Sequence, residues 1–179
     1  KRPSGMLSFN IYQSQRRGPR PESYIEDLET AISARTSGLE PDSREVFRGL
    51  CSGAESGWDF TTRWMDDSDE DLLGQARLET IKTHCIIPVD LNCLLLRVEK
   101  GLARAHELVA NMDMGSAPAK QPRKDSGAQP YHDAATLRRK AIDQVLWNDG
   151  MKCYSDYRMD KGRFSKVVAL SNWAAPLWA

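Results

Sequence analysis

The chain is poor in most of the features that would name a function class at once. Its three histidines (His84, His106, His132) stand isolated, and its four cysteines (Cys51, Cys85, Cys93, Cys153) form no CxxC pair. A zinc site draws its ligands from such short spacings, so no metal is expected. Cys85 and Cys93 flank apolar runs and read as buried thiols, which leaves the redox compartment open. Net charge is also missing: 25 Lys and Arg balance 25 Asp and Glu. The longest basic cluster, Arg16-Arg17 with Arg20, is too short to restore an electrostatic case for nucleic acid as partner. No apolar run approaches the roughly 20 residues that cross a bilayer. No Asn-x-Ser/Thr acceptor, no fixed-period repeat and no long strand pattern occurs. An initiator Met and a signal-peptide pattern are absent at Lys1, and the apolar stretch Ala174–Ala179 reads as the start of a buried helix. Both ends lead to the expectation of a piece of a longer protein, and they leave membrane association undecided.

What is present fits a globular domain: 179 residues, 40% hydrophobic and 28% charged. From Pro21 to about Arg35, Tyr24, Ile25, Leu28, Ala31 and Ile32 recur at helical spacing and predict one apolar stripe. Glu22, Glu26 and Asp27 sit in its first turns, where a helix favours negative charge. A second helix is expected from Asp42 to about Cys51, with Val46, Phe47 and Leu50 inward and Ser52-Gly53 as its break. The acidic run Asp66–Asp71 reads as a solvated loop. Thr83–Val89 is β-rich and extended up to Pro88. The clearest helix runs from Asp90 to Met112, through Leu91, Leu94, Leu95, Val98, Leu102, Ala105, Leu108 and Val109. Residues 115–129 are polar, rich in Pro, Gly, Ser and Lys, and predict a flexible insertion within one domain. A further helix is expected from His132 to Trp147, presenting Ala135, Ile142, Val145 and Leu146. After a turn at Asn148-Asp149-Gly150, residues 153–157 and 163–165 suggest a small hairpin around Asp160-Lys161-Gly162. The fold class is therefore all-α with long loops and a small hairpin.

One run carries the chemistry: Glu55-Ser56-Gly57-Trp58-Asp59-Phe60-Thr61-Thr62-Arg63-Trp64. Aromatic faces, a lone carboxyl and an arginine fork are the parts of a sugar site, offering a stacking surface, a proton donor and a hydroxyl clamp. The same residue types also serve as ordinary core and salt-bridge residues. Three companion segments decide between these readings: Gly18-Pro19-Arg20-Pro21-Glu22-Ser23-Tyr24, Ile86-Ile87-Pro88-Val89-Asp90-Leu91-Asn92, and Leu146-Trp147-Asn148. Together and in this order, the four segments closely resemble trehalase of the inverting glycoside hydrolase type, from about Phe9 to Ala179.

The resemblance implies that residues 1–179 form a central part of one (α/α)6 toroid, with a sugar site built by loops at one mouth of the ring. The substrate it implies is α,α-trehalose, hydrolysed to two glucose molecules, with no metal or organic cofactor. Asp59 matches the family's general acid. Trp58 and Phe60 would supply an apolar wall that favours its protonated form. Arg20 and Glu22 match positions that contact substrate hydroxyls, and Gly57 a backbone contact beside the acid. Read without the resemblance, Arg20 and Glu22 also suit a surface ion pair at a helix start, and Gly57 a plain turn. Arg63 and Trp58 are candidates for a supporting shell. Asp90 suits either that shell or the cap of the helix after Pro88. Tyr154, Asp156 and Tyr157 read as structural.

The family's upstream PGGRF-type segment, its downstream QWD-type segment and its glutamate base have no match in this chain. The resemblance therefore supplies one of the two carboxyl groups that inversion needs. Two alternatives remain: a related (α/α)6 α-glucosidase, against which Gly57-Trp58-Asp59-Phe60 speaks, and a truncated, non-catalytic binding or interaction protein. An extracellular or membrane-anchored location is favoured over a cytoplasmic one.

Overall fold

The computed structural model describes residues 7–40, 42–68, 77–112 and 126–179. Most of the expected insertion and Asp69–Asp71 of the acidic run lie outside the described residues. The chain is mostly helical and divides into two compact units. One is formed by Asn10–Pro88 with Ser155–Leu170, the other by Lys1–Phe9, Val89–Tyr154 and Ser171–Ala179.

In the first unit, a 3₁₀ turn at Pro21–Ser23 leads into α1 (Tyr24–Thr36). Proline suits such a start because its missing N–H has no helical partner there. The stripe expected to be buried is mostly exposed: Tyr24, Ile25, Leu28 and Ile32 face outward, and only Ala31 goes inside. The face against α2 (Ser43–Glu55) is instead Asp27, Ala31 and Ala34. Small side chains allow the two helices to approach closely, and Asp27 turns inward to meet Arg20.

Asp42 caps α2, its carboxylate accepting the Arg44 N–H at 3.0 Å. Val46, Phe47 and Leu50 are buried as expected. Ser52-Gly53 does not break the helix, which continues to Glu55. The glycines serve packing: a Cβ on Gly49 would stand 2.6 Å from the Ile81 carbonyl oxygen, and one on Gly53 3.2 Å from Ile81 Cδ1. The core of this unit joins Ala31, Ala34, Val46, Phe47, Leu50, Trp64, Met65, Ile81 and Ile86.

The strands are short. β1 (Ile86–Ile87) follows a 3₁₀ turn at Thr83–Cys85, so the expected extended segment is only partly extended. In the second unit, β2 (Trp147–Asn148) pairs with β3 (Cys153–Tyr154) around the predicted Asn148–Gly150 turn. Back in the first unit, β4 (Tyr157–Arg158) lies between β1 and β5 (Arg163–Phe164). The single hairpin expected over residues 153–165 is therefore two separate pairings. Cys153-Tyr154 belongs to the earlier turn because Tyr154 packs edge-on against Trp147, centroids 5.1 Å apart.

The remainder of the second unit is built on α3 (Val89–Met112) and α4 (Gln129–Ala141). Gln129, expected to close the insertion, is already the first helical residue. Arg138 ties the two helices together, forking onto Glu99 at 2.8–3.0 Å and reaching Asn92 at 3.1 Å. The buried face of α3 is Val89, Asp90, Asn92, Cys93, Leu96 and Ala103, whereas Leu94, Val98, Leu102, Leu108 and Val109 are exposed. Burial pushes the Cys93 thiol up to about 11, with Asp90 adding to the effect, so it stays protonated at neutral pH. α4 does not run on to Trp147. It loosens into a π turn at Ile142–Leu146 and then enters β2. A short helix, α5 (Leu170–Ala174), and a 3₁₀ turn at Ala175–Trp178 end the chain; the turn packs on α3.

Candidate active site

The conspicuous run forms the turn that leaves α2. The Ser56 hydroxyl donates to the Gly53 carbonyl and accepts the Trp58 N–H at 3.0 Å, closing the helix end. Gly57 then takes φ +70°, and Phe60 takes φ +52°. Only glycine adopts such values freely, so Phe60 is held there by its surroundings. These two left-handed residues bracket Trp58 and Asp59 and turn the backbone twice in quick succession.

Asp59 sits exposed at the tip, and among the described residues nothing pairs with its carboxylate. The expected apolar wall is not built around it. Trp58 is 47% exposed, and Phe60 turns back toward the core cluster. Phe60's ring meets the Arg20 guanidinium, 5.1 Å from its centroid. Beyond the position of Gly57's Cβ lies open space for 4 Å. The glycine is therefore required by its backbone angle rather than by crowding. Gly57→Ala is expected to lower stability by about 1–2 kcal/mol, the usual penalty of a left-handed residue with a Cβ. Thermal unfolding measures it.

Arg20 is the other fixed point. Its guanidinium forks onto the Asp27 carboxylate at 2.7 and 3.0 Å, and its backbone N–H donates to the same group at 2.9 Å. The ion pair considered between Arg20 and Glu22 is thus replaced by one with Asp27, which lies one face of α1 deeper. Glu22 stays exposed. Asp27 itself is 1% exposed and was missed as a site residue. Its signal was available: an acid on the same helical face as Ala31 and Ala34.

Behind the tip, Thr61 accepts the Arg63 N–H and opens a 3₁₀ turn at Thr62–Trp64. Trp64 is fully buried and donates its indole N–H to the Trp58 carbonyl at 3.1 Å. It packs edge-on against Tyr12, centroids 6.2 Å apart. Arg63 is 1% exposed, lies over the Trp64 ring at 4.5 Å, and forms a two-pronged ion pair with Asp156. Asp156, read as structural from sequence, is wholly buried. Further along, the Arg158 guanidinium donates to the Met65 carbonyl at 2.6 Å. Asp67 accepts from Arg163 at 2.7 and 3.1 Å and from the Lys166 N–H at 2.7 Å. The segment 63–67 is therefore clamped at every second residue to the β4–β5 hairpin and the residues beside it. This overturns the solvated-loop reading of Asp67, which is 0% exposed. Its charge is tolerated inside because Arg158 and Arg163 flank it.

Arg20, Glu22, Gly57, Trp58, Asp59 and Arg63 accordingly belong to one compact unit. Asp90 belongs to the other. It is 5% exposed and is the second residue of α3 rather than its cap, and its carboxylate accepts the N–H of the next residue, Leu91, at 2.9 Å.

A polypeptide with this loop, these neighbours and this order of segments has clear relatives. The sequence pattern of the trehalase family matches residues 3–179. The chain belongs to the trehalase family. A periplasmic trehalase of Citrobacter koseri is 40% identical over 149 residues, covering 83% of this chain and 22% of the relative. A periplasmic trehalase of Escherichia coli O1:K1 / APEC is 38% identical over the same extent. The chain thus spans 22% of the length of these relatives. Among the described residues, no helix of this trehalase relative is long and apolar enough to cross a membrane.

Proposed function

We propose that this chain is the acid-bearing portion of a trehalase catalytic domain of the (α/α)6 type, hydrolysing α,α-trehalose to two glucose molecules with inversion. The observation that carries the reading is the exposed Asp59. It stands at the tip of a doubly turned loop, in a chain whose family match runs from residue 3 to residue 179. In this reading Asp59 protonates the bridging oxygen, and a glutamate outside this chain activates water on the far side of the ring. Arg20 and Glu22 hold sugar hydroxyls. Arg20 gives Nε and Nη2 to Asp27, which orients the planar guanidinium and turns Nη1 to a hydroxyl, and Glu accepts from vicinal hydroxyls. Gly57 lets the backbone approach the sugar, Trp58 offers an exposed aromatic face, and Arg63 supports the loop from behind. The relatives are named periplasmic trehalases, which favours a location outside the cytoplasm.

The test has two arms. The purified 179-residue chain is expected to release no glucose from trehalose, because one carboxyl group cannot perform an inverting displacement alone. Turnover by this chain would contradict the assignment of the base to another segment. The intact protein carrying the chain is expected to cleave trehalose and to yield α- and β-glucose in equal early amounts by proton NMR. Exclusive formation of the α-anomer would exclude inversion, and absence of cleavage would exclude trehalase activity.

A further inference from the structure

We propose that Asp156 is a positioning residue for the general acid, acting on Asp59 through Arg63 and Trp64. The inference rests on the trehalase reading above and adds to it a residue 97 positions away in sequence from the acid it serves.

Asp59 has no side-chain partner among the described residues. Its placement must therefore come from the backbone on either side. The Trp58 carbonyl shares a rigid peptide plane with the Asp59 N–H. Whatever fixes that carbonyl fixes the direction from which the Asp59 side chain departs. The carbonyl is held by the buried Trp64 indole N–H at 3.1 Å, with a longer contact from the Thr61 N–H at 3.4 Å. The Trp64 ring is held in turn by the Arg63 guanidinium lying 4.5 Å over its face. The edge of that guanidinium is fixed by the two oxygens of Asp156.

Asp156 is itself anchored. Its carbonyl accepts the Ser165 N–H at 2.8 Å, at the base of the β4–β5 hairpin. An unbroken series of contacts thus runs from hairpin to acid: Asp156 carboxylate, Arg63 guanidinium, Trp64 indole, Trp58 carbonyl, Asp59. The clamp contacts of Arg158 and Asp67 attach the same segment further on, at the Met65 carbonyl and at Asp67 itself. Of the three clamps, the Arg63–Asp156 pair is the one that lies over the indole holding the acid's peptide, on a ring that Tyr12 also meets at its edge. Misplacing a catalytic group by about 1 Å can lower turnover by about a hundredfold, so a fixed carbonyl at this point has catalytic leverage.

The test uses Asp156→Asn and Trp64→Phe in the intact enzyme, with Asp59→Asn as control and two substrates. Trehalose needs a proton on its leaving oxygen. α-Glucosyl fluoride leaves as fluoride without general-acid help. Both variants are expected to lower kcat on trehalose by about 10–100-fold, with KM changed much less, and to spare the fluoride. A purely structural role would lower both activities together or neither. Should Asp156→Asn fail to fold, Trp64→Phe decides, because it leaves the charge pair intact and removes only the indole donor. Folded variants with an unchanged ratio of trehalose to fluoride turnover would overturn the proposal. If Asp59→Asn lowers trehalose hydrolysis while both variants match wild type, this inference alone fails. If Asp59→Asn has no effect, the acid assignment fails first and takes the inference with it.

Discussion

Replacing Asp59 with Asn in the intact enzyme is expected to lower kcat on trehalose by about 10²–10⁴-fold, the usual contribution of a positioned general acid. The substitution is nearly isosteric. Asp59 is exposed and has no partner among the described residues, so the fold has no reason to respond. Thermal unfolding should therefore be unchanged while turnover collapses. Hydrolysis of α-glucosyl fluoride should survive, since the water-activating group on the opposite face of the ring is untouched. Loss of both activities to the same degree would point to a role in binding. An activity with an acidic limb that persists after Asp59→Asn would remove the residue from the mechanism.

The second large effect concerns stability. Asp67→Ala is expected to destabilise the fold by about 3 kcal/mol, the low end for breaking a buried ion pair, because the buried Arg158 keeps Asp160 as counter-charge and Arg163 is partly exposed. Asp67 is flanked by Arg158, 0% exposed on its side chain, and by Arg163. Denaturant unfolding followed by tryptophan fluorescence measures the loss.

The same site sets a pH dependence. Burial alone would raise the Asp67 pKa, but the Arg163 hydrogen bond, the Lys166 N–H and the charges of Arg158 and Arg163 outweigh it. The net shift is downward from the ordinary 3.8. A carboxylate with a lowered folded-state pKa stabilises the fold fully at pH values above its unfolded pKa. That contribution is lost as pH falls through the folded value. The wild-type midpoint should therefore decline below about pH 4. In Asp67→Asn that part of the decline should be missing, which unfolding curves across the acid range would reveal.

Local patterns made the helices legible, and order along the chain made the family legible. Proline at the start of α1, Asp42 before α2 and the long apolar periodicity of α3 are signals within a few residues of what they specify. The family was readable because four short segments occur together, even though each is ambiguous alone. Burial was another matter. Tyr24, Ile25, Leu28 and Ile32 make a proper helical stripe, yet α1 turns its smaller face inward, since Ala31 and Ala34 admit α2 at close range. Gly53 looks like a helix breaker until Ile81 is placed against it. Asp67 looks solvated within its acidic run, and neither Asp27 nor Asp156 names its partner from nearby residues. Asp27's partner lies seven residues away, and those of Asp67 and Asp156 more than ninety. An acid's burial depends on a cation that folding brings to it, and the one-dimensional pattern carries no record of that meeting.

The clamp that joins residues 63–67 to the hairpin has a temporal side. Arg63 precedes Asp156 by 93 residues, and Asp67 precedes Arg163 by 96. A ribosome adding about 5–20 residues per second needs roughly 5–20 s to cover that distance. Throughout this interval the acid loop exists, but two of the charges meant to lie inside have no counterpart. Helices α1 and α2 can pair at once, because their contacts are local. The loop cannot settle until the second unit's helices, encoded between the two halves of the clamp, have been made. On the nascent chain, the shape of the Gly57–Phe60 loop is therefore among the last things the first unit acquires, although its own residues are made before the hairpin that clamps it.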